Sequence, residues 1–502
     1  MLRSSLLIIG LTIFALLLPG MTCFGRNTVI IAVSTEPPSL DPTTNAAAAI
    51  DLILNQNVFE GLVRVTAEGE IEPALAASFD VSEDGLTYTF FLRRGVLFHN
   101  GEQFGASDVV ATFTRNLDVA TGHPNRKFYV NIEEITAPDP YTVVFHMARV
   151  DAAFLSILAL GDSIILPEQV PANLAHHPVG TGPFQFAEWG VGEYIRLERF
   201  AGYHREGLPL LDEVTFRFIS DTTSKLLALL AGDVDMVARV PAETALAVQG
   251  DPRFNVIVGP MNLVQIMAIN NERQPFSNLL VRQAIAHAID RTAIIEGTMF
   301  GMGVPIGSHL TPASPYHIDL TGLHPHDPQR ARDLLAQAGY PAGFSAVITL
   351  PQVFEIHVRT GEIIAEQLSR VGIELEIELV EWGVWLSRVF AQADYDLTVI
   401  GHPGRLDPGA MMLHYGAGSE GFYFRRGWEN LHLNDLLAEG RTTFDRSRRR
   451  EIYAEVQTII AAEAVNFFIQ DPYQIFIMNE NLAGLRLYPI YLINVTTLFW
   501  SP

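Results

Sequence analysis

Cysteine is nearly absent from this chain. Its 502 residues contain one, Cys23. A domain that follows position 23 therefore has no disulfide, no thiolate metal site and no cysteine nucleophile. Positive charge is also scarce. Lysine and arginine together number 33 against 56 acids, a net charge of −23. That balance argues against nucleic acid or an anionic membrane surface as partner, because both need a basic footprint. It does not constrain a small-molecule pocket, whose local sign can oppose that of the whole. Long apolar runs are missing beyond the N-terminus, so no later stretch is expected to span a bilayer. Three hydrolase and nucleotide signatures are absent as well: G-x-S-x-G, H-E-x-x-H and the phosphate-binding P-loop. Gly416–Gly421 fits G-x-G-x-x-G, but Phe422-Tyr-Phe-Arg-Arg-Gly-Trp428 after it does not read as the helix a dinucleotide site requires.

What is present begins with an export signal. Met1-Leu-Arg3 is a short basic start, and Leu6–Leu18 is an apolar run closed by Pro19-Gly20. Residues 1–25 read as a secretory signal peptide with cleavage near Gly25, and Cys23 as a candidate lipid-attachment site. The chain is too long for one core, so at least two lobes are expected.

Pro178-Val-Gly-Thr-Gly-Pro-Phe184 is the pivotal breaker. About 150 residues that read as a compact unit precede it, and Gln185–Phe200 after it reads as two strands around a turn at Gly190–Gly192. The heptapeptide is expected to mark where the chain leaves an inserted unit and re-enters an earlier lobe. Helices are expected over Ala46–Phe59, over Asp108–Leu117 with Ser107 as cap, after Asp221, over Leu279–Glu296, and after the Asp327-Pro328 start. Ile373–Val380 alternates strictly, which predicts one buried and one solvated face. Strand and helix then alternate from Phe344 to Ile400, which predicts a parallel α/β sheet. Arg446–Ala464 reads as a helix, with separate strands at Asn466–Gln470 and Gln474–Asn479.

Four blocks carry a resemblance. Ala77–Gly101 includes Gly85-Leu-Thr-Tyr-Thr-Phe and Leu92-Arg-Arg-Gly-Val-Leu-Phe-His-Asn-Gly. Pro178–Phe184 is followed by Tyr203 and Leu211-Asp-Glu-Val-Thr-Phe216. Asn270–Ile295 contains Val281-Arg-Gln-Ala-Ile285 and Ala288-Ile-Asp-Arg291, and Asp327–Pro341 closes the series. In this order they resemble the peptide/nickel class of extracytoplasmic solute-binding proteins, the capture subunits of ABC importers. The resemblance implies an α/β two-lobed binding-protein fold with a hinge and an inserted subdomain. Mapped here, the first lobe is 27–58, 178–268 and 475–502, the insert 59–177 and the second lobe 269–474. It implies extracytoplasmic capture of a solute, foremost an oligopeptide or dipeptide, by a monomer that delivers it to the membrane subunits of a permease. No cofactor, metal or catalysed step is expected.

Ligands of α/β sheets bind at the carboxyl ends of strands, which points to Gly401-His-Pro-Gly-Arg-Leu-Asp-Pro408 and its His402, Arg405 and Asp407. The resemblance places an amine-binding aspartate four residues before that proline, where this chain has Gly404. Arg405 suits a carboxylate or phosphate, unless it pairs with Asp407. Glu36 matches a family position near the cleft and could take over the amine contact. Trp382 and Trp385 are candidate aromatic platforms, with a core role as the alternative. His309, His317, His324 and His326 share a proline-rich loop, but no carboxylate or cysteine stands at metal spacing. Two rivals stay open: the same fold holding an oligosaccharide, glycoside or anionic solute, and a secreted hydrolase using two cooperating carboxylates.

Overall fold

The computed structural model describes residues 27–419 and 422–501. The expected signal segment and Cys23 lie outside them, as does the end of the Gly416–Gly421 motif. Among the described residues no helix is long and apolar enough to cross a membrane.

One twelve-stranded sheet runs through both lobes. Its order is Ile373–Val380, Phe344–Pro351, Leu397–Pro403, Leu263–Ile269, Asn466–Asn479, Met236–Val237, Thr28–Val33, Glu213–Phe218, Tyr194–Arg199, Phe184–Gly190. Phe254–Pro260 and Gly303–Pro305 add to the same central strand, Asn466–Asn479. The three strands of the Phe344–Ile400 run are parallel, as expected, and the rest of the sheet makes it mixed. Phe344–Pro351 runs parallel to both of its neighbours, but Leu263–Ile269 is antiparallel to Leu397–Pro403 and to Asn466–Asn479.

Asn466–Asn479 is a single 14-residue strand where two were expected. Asp471-Pro472 reads as a break because proline cannot donate to a ladder. It is tolerated here because the strand changes partners at that point. Gln470 and the residues before it pair with Leu263–Ile269, whereas Tyr473–Asn479 pair with Phe254–Pro260. The chain crosses between lobes twice, at 260–263 and at 471–473. The expected boundaries at 268 and 474 therefore fall inside strands.

Five apolar cores follow from this layout. Val29, Ile31, Phe184, Val214, Phe476 and Leu498 build the first lobe. Leu166 and Leu174, expected within the insert, pack in that core too, because from Ile164 the chain runs along the seam, with Ile164 and Leu166 facing the first lobe and Ile165 the insert. Tyr88, Phe90, Phe113 and Phe145 fill the insert beneath its own four-stranded antiparallel sheet. Two cores lie on opposite faces of the second-lobe sheet, one around Ile266 and Tyr415, the other around Met267 and Ile348. The fifth joins Ala32, Val234 and Ile475 to Ile295 and Met299, bridging the lobes beside the crossings.

The Pro178–Phe184 heptapeptide explains itself in packing. A Cβ on Gly180 would lie 2.0 Å from the Val58 carbonyl oxygen, and one on Gly182 2.5 Å from that of Asn57. Both glycines let two backbones touch. The Gly182 and Phe184 N–H groups then donate to the Val58 and Asn57 carbonyls at 3.0 and 2.9 Å. The exit from and return to the first lobe are laced together at this point.

Other local expectations shift. The Ala46 helix is short, Ala48–Leu54. The insert helix is Ala106–Leu117, capped at Gly105, whose N–H donates to Asp108 at 2.8 Å, so Ser107 is not its cap. Leu279–Glu296 divides into Leu279–Ala288 and Arg291–Met299, because Asp290 accepts from the Thr292 and Ala293 N–H groups and starts a new helix. Asp221 and Asp327 do cap their helices. On the edge strand Ile373–Val380 the alternation is only half realised, since Ile377 and Leu379 are exposed.

Candidate functional site

The insert rests on the second lobe. Phe444 fills the space a side chain on Gly85 would take, at the positive φ of 69° that glycine accepts. The Ala152 N–H donates to the Arg441 carbonyl at 3.1 Å, and Glu70 forms an ion pair with Arg446. Leu406, in the loop that leaves strand Leu397–Pro403, packs against the core of the insert. Between these contacts lies a cavity of about 380 Å³. The insert contributes Lys127, Phe128, Asp151 and Ile157, and the second lobe contributes Arg405–Asp407, Met411, His414, Arg441, Arg449 and Tyr453.

Asp407 is consumed by structure. It caps the short helix Pro408–Met412 through a 2.8 Å bond from the Gly409 N–H. Its other oxygen meets Arg449 at 2.6 Å, with both side chains under 8% exposed. Arg449 also donates to the Gly440 carbonyl at 3.0 Å and to Tyr316 Oη at 3.2 Å. Such a buried pair holds only with these extra bonds, because desolvation opposes it. The negative charge of Asp407 raises the pKa of Arg449 against the depressing effect of burial. A Cβ on Gly409 would lie 2.6 Å from Tyr453 Oη, so a larger residue there would displace that side chain.

Arg405 does not pair with Asp407. Its side chain is exposed and makes no ion pair or hydrogen bond with a described residue, and the same holds for Lys127 and Arg441. Burial first, then the positive fields of Arg405 and Lys127, lower the pKa of His414 on the same wall. Asp151 accepts from the Ala153 N–H at 3.1 Å; burial raises its pKa and the neighbouring Asp407 adds to the effect.

His402 belongs elsewhere. Its ring stacks on His309 with centroids 5.0 Å apart. His309 Nε2 lies 3.0 Å from His402 Nδ1, and His309 Nδ1 2.7 Å from Tyr415 Oη. His402 Nε2 bonds the Tyr423 hydroxyl, and Asn466 donates to Tyr415 Oη at 3.0 Å. Two assignments of protons satisfy the chain, one running from Tyr415 through His309 and His402 to Tyr423 and the other in reverse, with Asn466 donating to Tyr415 in both. Either one requires both imidazoles to be neutral, each ring donating through one nitrogen and accepting through the other. Burial enforces this, holding His402 at about 3 and His309 well below its usual value. The network braces the loop from behind and leaves His402 no nitrogen for a ligand.

Gly404 is walled in by the hinge. A Cβ there would fall 1.9 Å from Asn262 Oδ1. Asn262 has a positive φ of 59° at the first crossing. Its side chain donates to the Pro489 carbonyl at 2.9 Å and accepts from Thr311 at 2.7 Å, and its carbonyl accepts from the Gly404 N–H at 2.6 Å. At the second crossing Asp471 accepts from the Asn262 and Leu263 N–H groups at 3.2 and 2.9 Å, and burial raises its pKa to about 7.

The remaining expected residues stand apart from the cavity. Glu36 Oε1 accepts from Trp189 Nε1 and the Gly192 N–H, both at 2.8 Å, which pins the hairpin of the first lobe. Trp385 is core: 2% exposed, it donates to Thr398 at 3.0 Å. Trp382 stacks on it at 5.1 Å with one face partly open. The four histidines of the proline-rich loop disperse. His309 joins the network above and His324 bonds the Ala461 carbonyl. No cluster able to hold a metal forms among the described residues.

A hinged mixed sheet, an inserted subdomain and a cavity at strand ends are what one family of binding proteins presents. The chain belongs to the bacterial extracellular solute-binding proteins, family 5. That family's model matches residues 70–423. The chain is 28% identical to the glutathione-binding protein GsiB of Escherichia coli O1:K1, across 97% of this chain and 96% of that one. Among solved structures it resembles AgaA of A. tumefaciens R10, in complex with agropinic acid, with 29% identity and a TM-score of 0.74 over 95% of this chain and 99% of that one. It also resembles DppA of Helicobacter pylori, in complex with the peptide STSA, at 26% identity and a TM-score of 0.74, covering 95% and 98%. The family 5 blocks that were legible in the sequence are spread over the insert sheet, the Pro178–Phe184 junction and the second-lobe core, and none lines the cavity. Lys127, Arg441, Arg449 and Asn262 carried no motif. Arg449 alone left a trace: within Arg448-Arg-Arg450 it is the arginine on the stripe of Ile452, Tyr453, Val456 and Ile460.

Proposed function

We propose that this family 5 protein captures a small, peptide-like solute between its lobes outside the cytoplasm and delivers it to the membrane subunits of an ABC permease. It works as a monomer and catalyses no reaction. The observation that carries this is the cavity at the carboxyl end of strand Leu397–Pro403, walled by the insert on one side and the second lobe on the other. A site built from two units that join through two chain crossings can open and close by bending at those crossings. The three relatives named above are described with glutathione, agropinic acid and a peptide, all compact polar molecules. The cavity volume lies in the range that ordinary small-ligand sites occupy.

Thermal unfolding of the purified chain with a casein digest and with ultrafiltered yeast extract tests this. A ligand that binds only the folded state raises the melting temperature, by an amount that grows with its concentration. A concentration-dependent rise is expected. An unchanged temperature with both mixtures at millimolar solute, or turnover of peptides by the pure protein, would overturn the proposal.

A further inference from the structure

Resting on that reading, we propose that the cavity selects solutes bearing at least two carboxylates, and that Arg405, Lys127 and Arg441 read them. Four cations and two carboxylates face this space: Lys127, Arg405, Arg441 and Arg449 against Asp151 and Asp407. Asp407 is neutralised by Arg449 within the protein. The walls therefore keep an excess of two positive charges, on three cations without an ion-pair partner among the described residues. This occurs in a chain whose acids outnumber its cations by 56 to 33. Partners for these cations are abundant on the surface, and among the described residues only the carboxylate of Asp151, in the field of Arg441, offsets them here.

The aspartate that the resemblance assigns to a free amine has no counterpart here. The position where relatives are expected to carry the amine-binding aspartate is Gly404, and any side chain there collides with Asn262. Asn262 cannot yield, because it ties the first crossing to Thr311, Pro489 and the 404 backbone. Glu36, the candidate replacement, is spent on Trp189 and Gly192. Phe128, Ile157 and Met411 offer apolar wall for the body of the solute. Guanidinium groups take carboxylates through two parallel hydrogen bonds, which fixes orientation as well as charge.

The test is calorimetry with four probes: γ-glutamyl-alanyl-glycine, the same tripeptide with both carboxylates amidated, tri-alanine, and glutarate. The dicarboxylate tripeptide is expected to bind, and amidation to weaken it at least a hundredfold. Arg405→Ala and Arg441→Ala should each weaken it tenfold or more, while N-acetylation of its amine costs less than threefold. Both arginines are exposed, so unchanged melting temperatures will show that the variants fold. Binding of glutarate alone would support the acid reading and remove its peptide element. Equal binding of the diamide or tri-alanine, indifferent to Arg405→Ala, would overturn the acid reading and leave solute capture standing. Failure of all four probes would overturn the acid reading, and solute capture would still stand or fall on the digest and yeast-extract test.

Discussion

His402, at the end of strand Leu397–Pro403, and Arg405, in the loop that leaves it, are three residues apart, yet they live under opposite rules. His402 has a partner on each ring nitrogen, is held neutral by burial, and locks the loop to the second-lobe core. Arg405 has no ion-pair or hydrogen-bond partner among the described residues and faces a cavity. The same contrast separates Asp407, closed off by Arg449 and the Gly409 N–H, from Arg441 across the cavity. Residue type does not separate structural from binding roles in this loop. Counting the partners of each polar atom does.

The contrast can be broken by substitution. The largest effect belongs to Arg449→Ala, which leaves Asp407 charged and buried; a loss of about 3–5 kcal/mol is expected in denaturant unfolding. If the loss is below about 1 kcal/mol, the pair is not a structural strut. His402→Leu comes next. It strands His309 Nε2 and the Tyr423 hydroxyl and should cost about 1–3 kcal/mol. Adding His309→Leu should cost less than the sum of the single changes, because the two share one network; strict additivity would dissolve it.

Acidity sharpens the same comparison. Burial holds His99 and His357 at about 4, His402 at about 3, and His309 well below its ordinary value. Unfolded histidine binds protons below about 6.5, so these four remove stability as pH falls from there. Asp51 and Asp471 oppose them. Burial, with Asp162 adding to it at Asp51, raises each to about 7, so the folded state keeps protons that the unfolded chain releases above about 4. Their contribution is full at low pH and is lost as pH rises towards 7. With four groups against two, melting temperature should climb from pH 4 to about 6.5 and then level or dip slightly. A melting temperature that falls over that climb would contradict the burial of the histidines.

The smallest effect should be Arg405→Ala on stability, within about 0.5 kcal/mol, as for any exposed unpaired side chain. A larger loss would mean that Arg405 is structural after all.

Much of the architecture was legible because it is local. The helix caps at Asp221 and Asp327, the hairpin after Phe184 and the glycines at the return from the insert each follow from a few adjacent residues. The single central strand was not, because Asp471-Pro472 breaks a ladder locally and only the change of partner strand rescues it. The cavity was half legible. Strand order pointed to the 401–408 loop, but Lys127 and Arg441 come from other parts of the chain and reach it only through packing of the insert. His402 and Glu36 were misleading because side-chain partners such as His309 and Trp189 are distant in sequence.

The central claim is that the lobes close on a solute by bending at 260–263 and 471–473. Val191, at the tip of the first-lobe hairpin, and Val353, beyond strand Phe344–Pro351, are both exposed near opposite extremes of the long sheet. Cysteines at these two positions, with Cys23 replaced by serine, allow spin labels to be attached and their separation measured by pulsed resonance. The comparison is protein alone against protein saturated with ultrafiltered yeast extract, with binding verified by calorimetry on the same sample. A shift of the distance distribution to a new, narrower population is the predicted result. An unchanged distribution in a sample that has bound its solute would contradict closure.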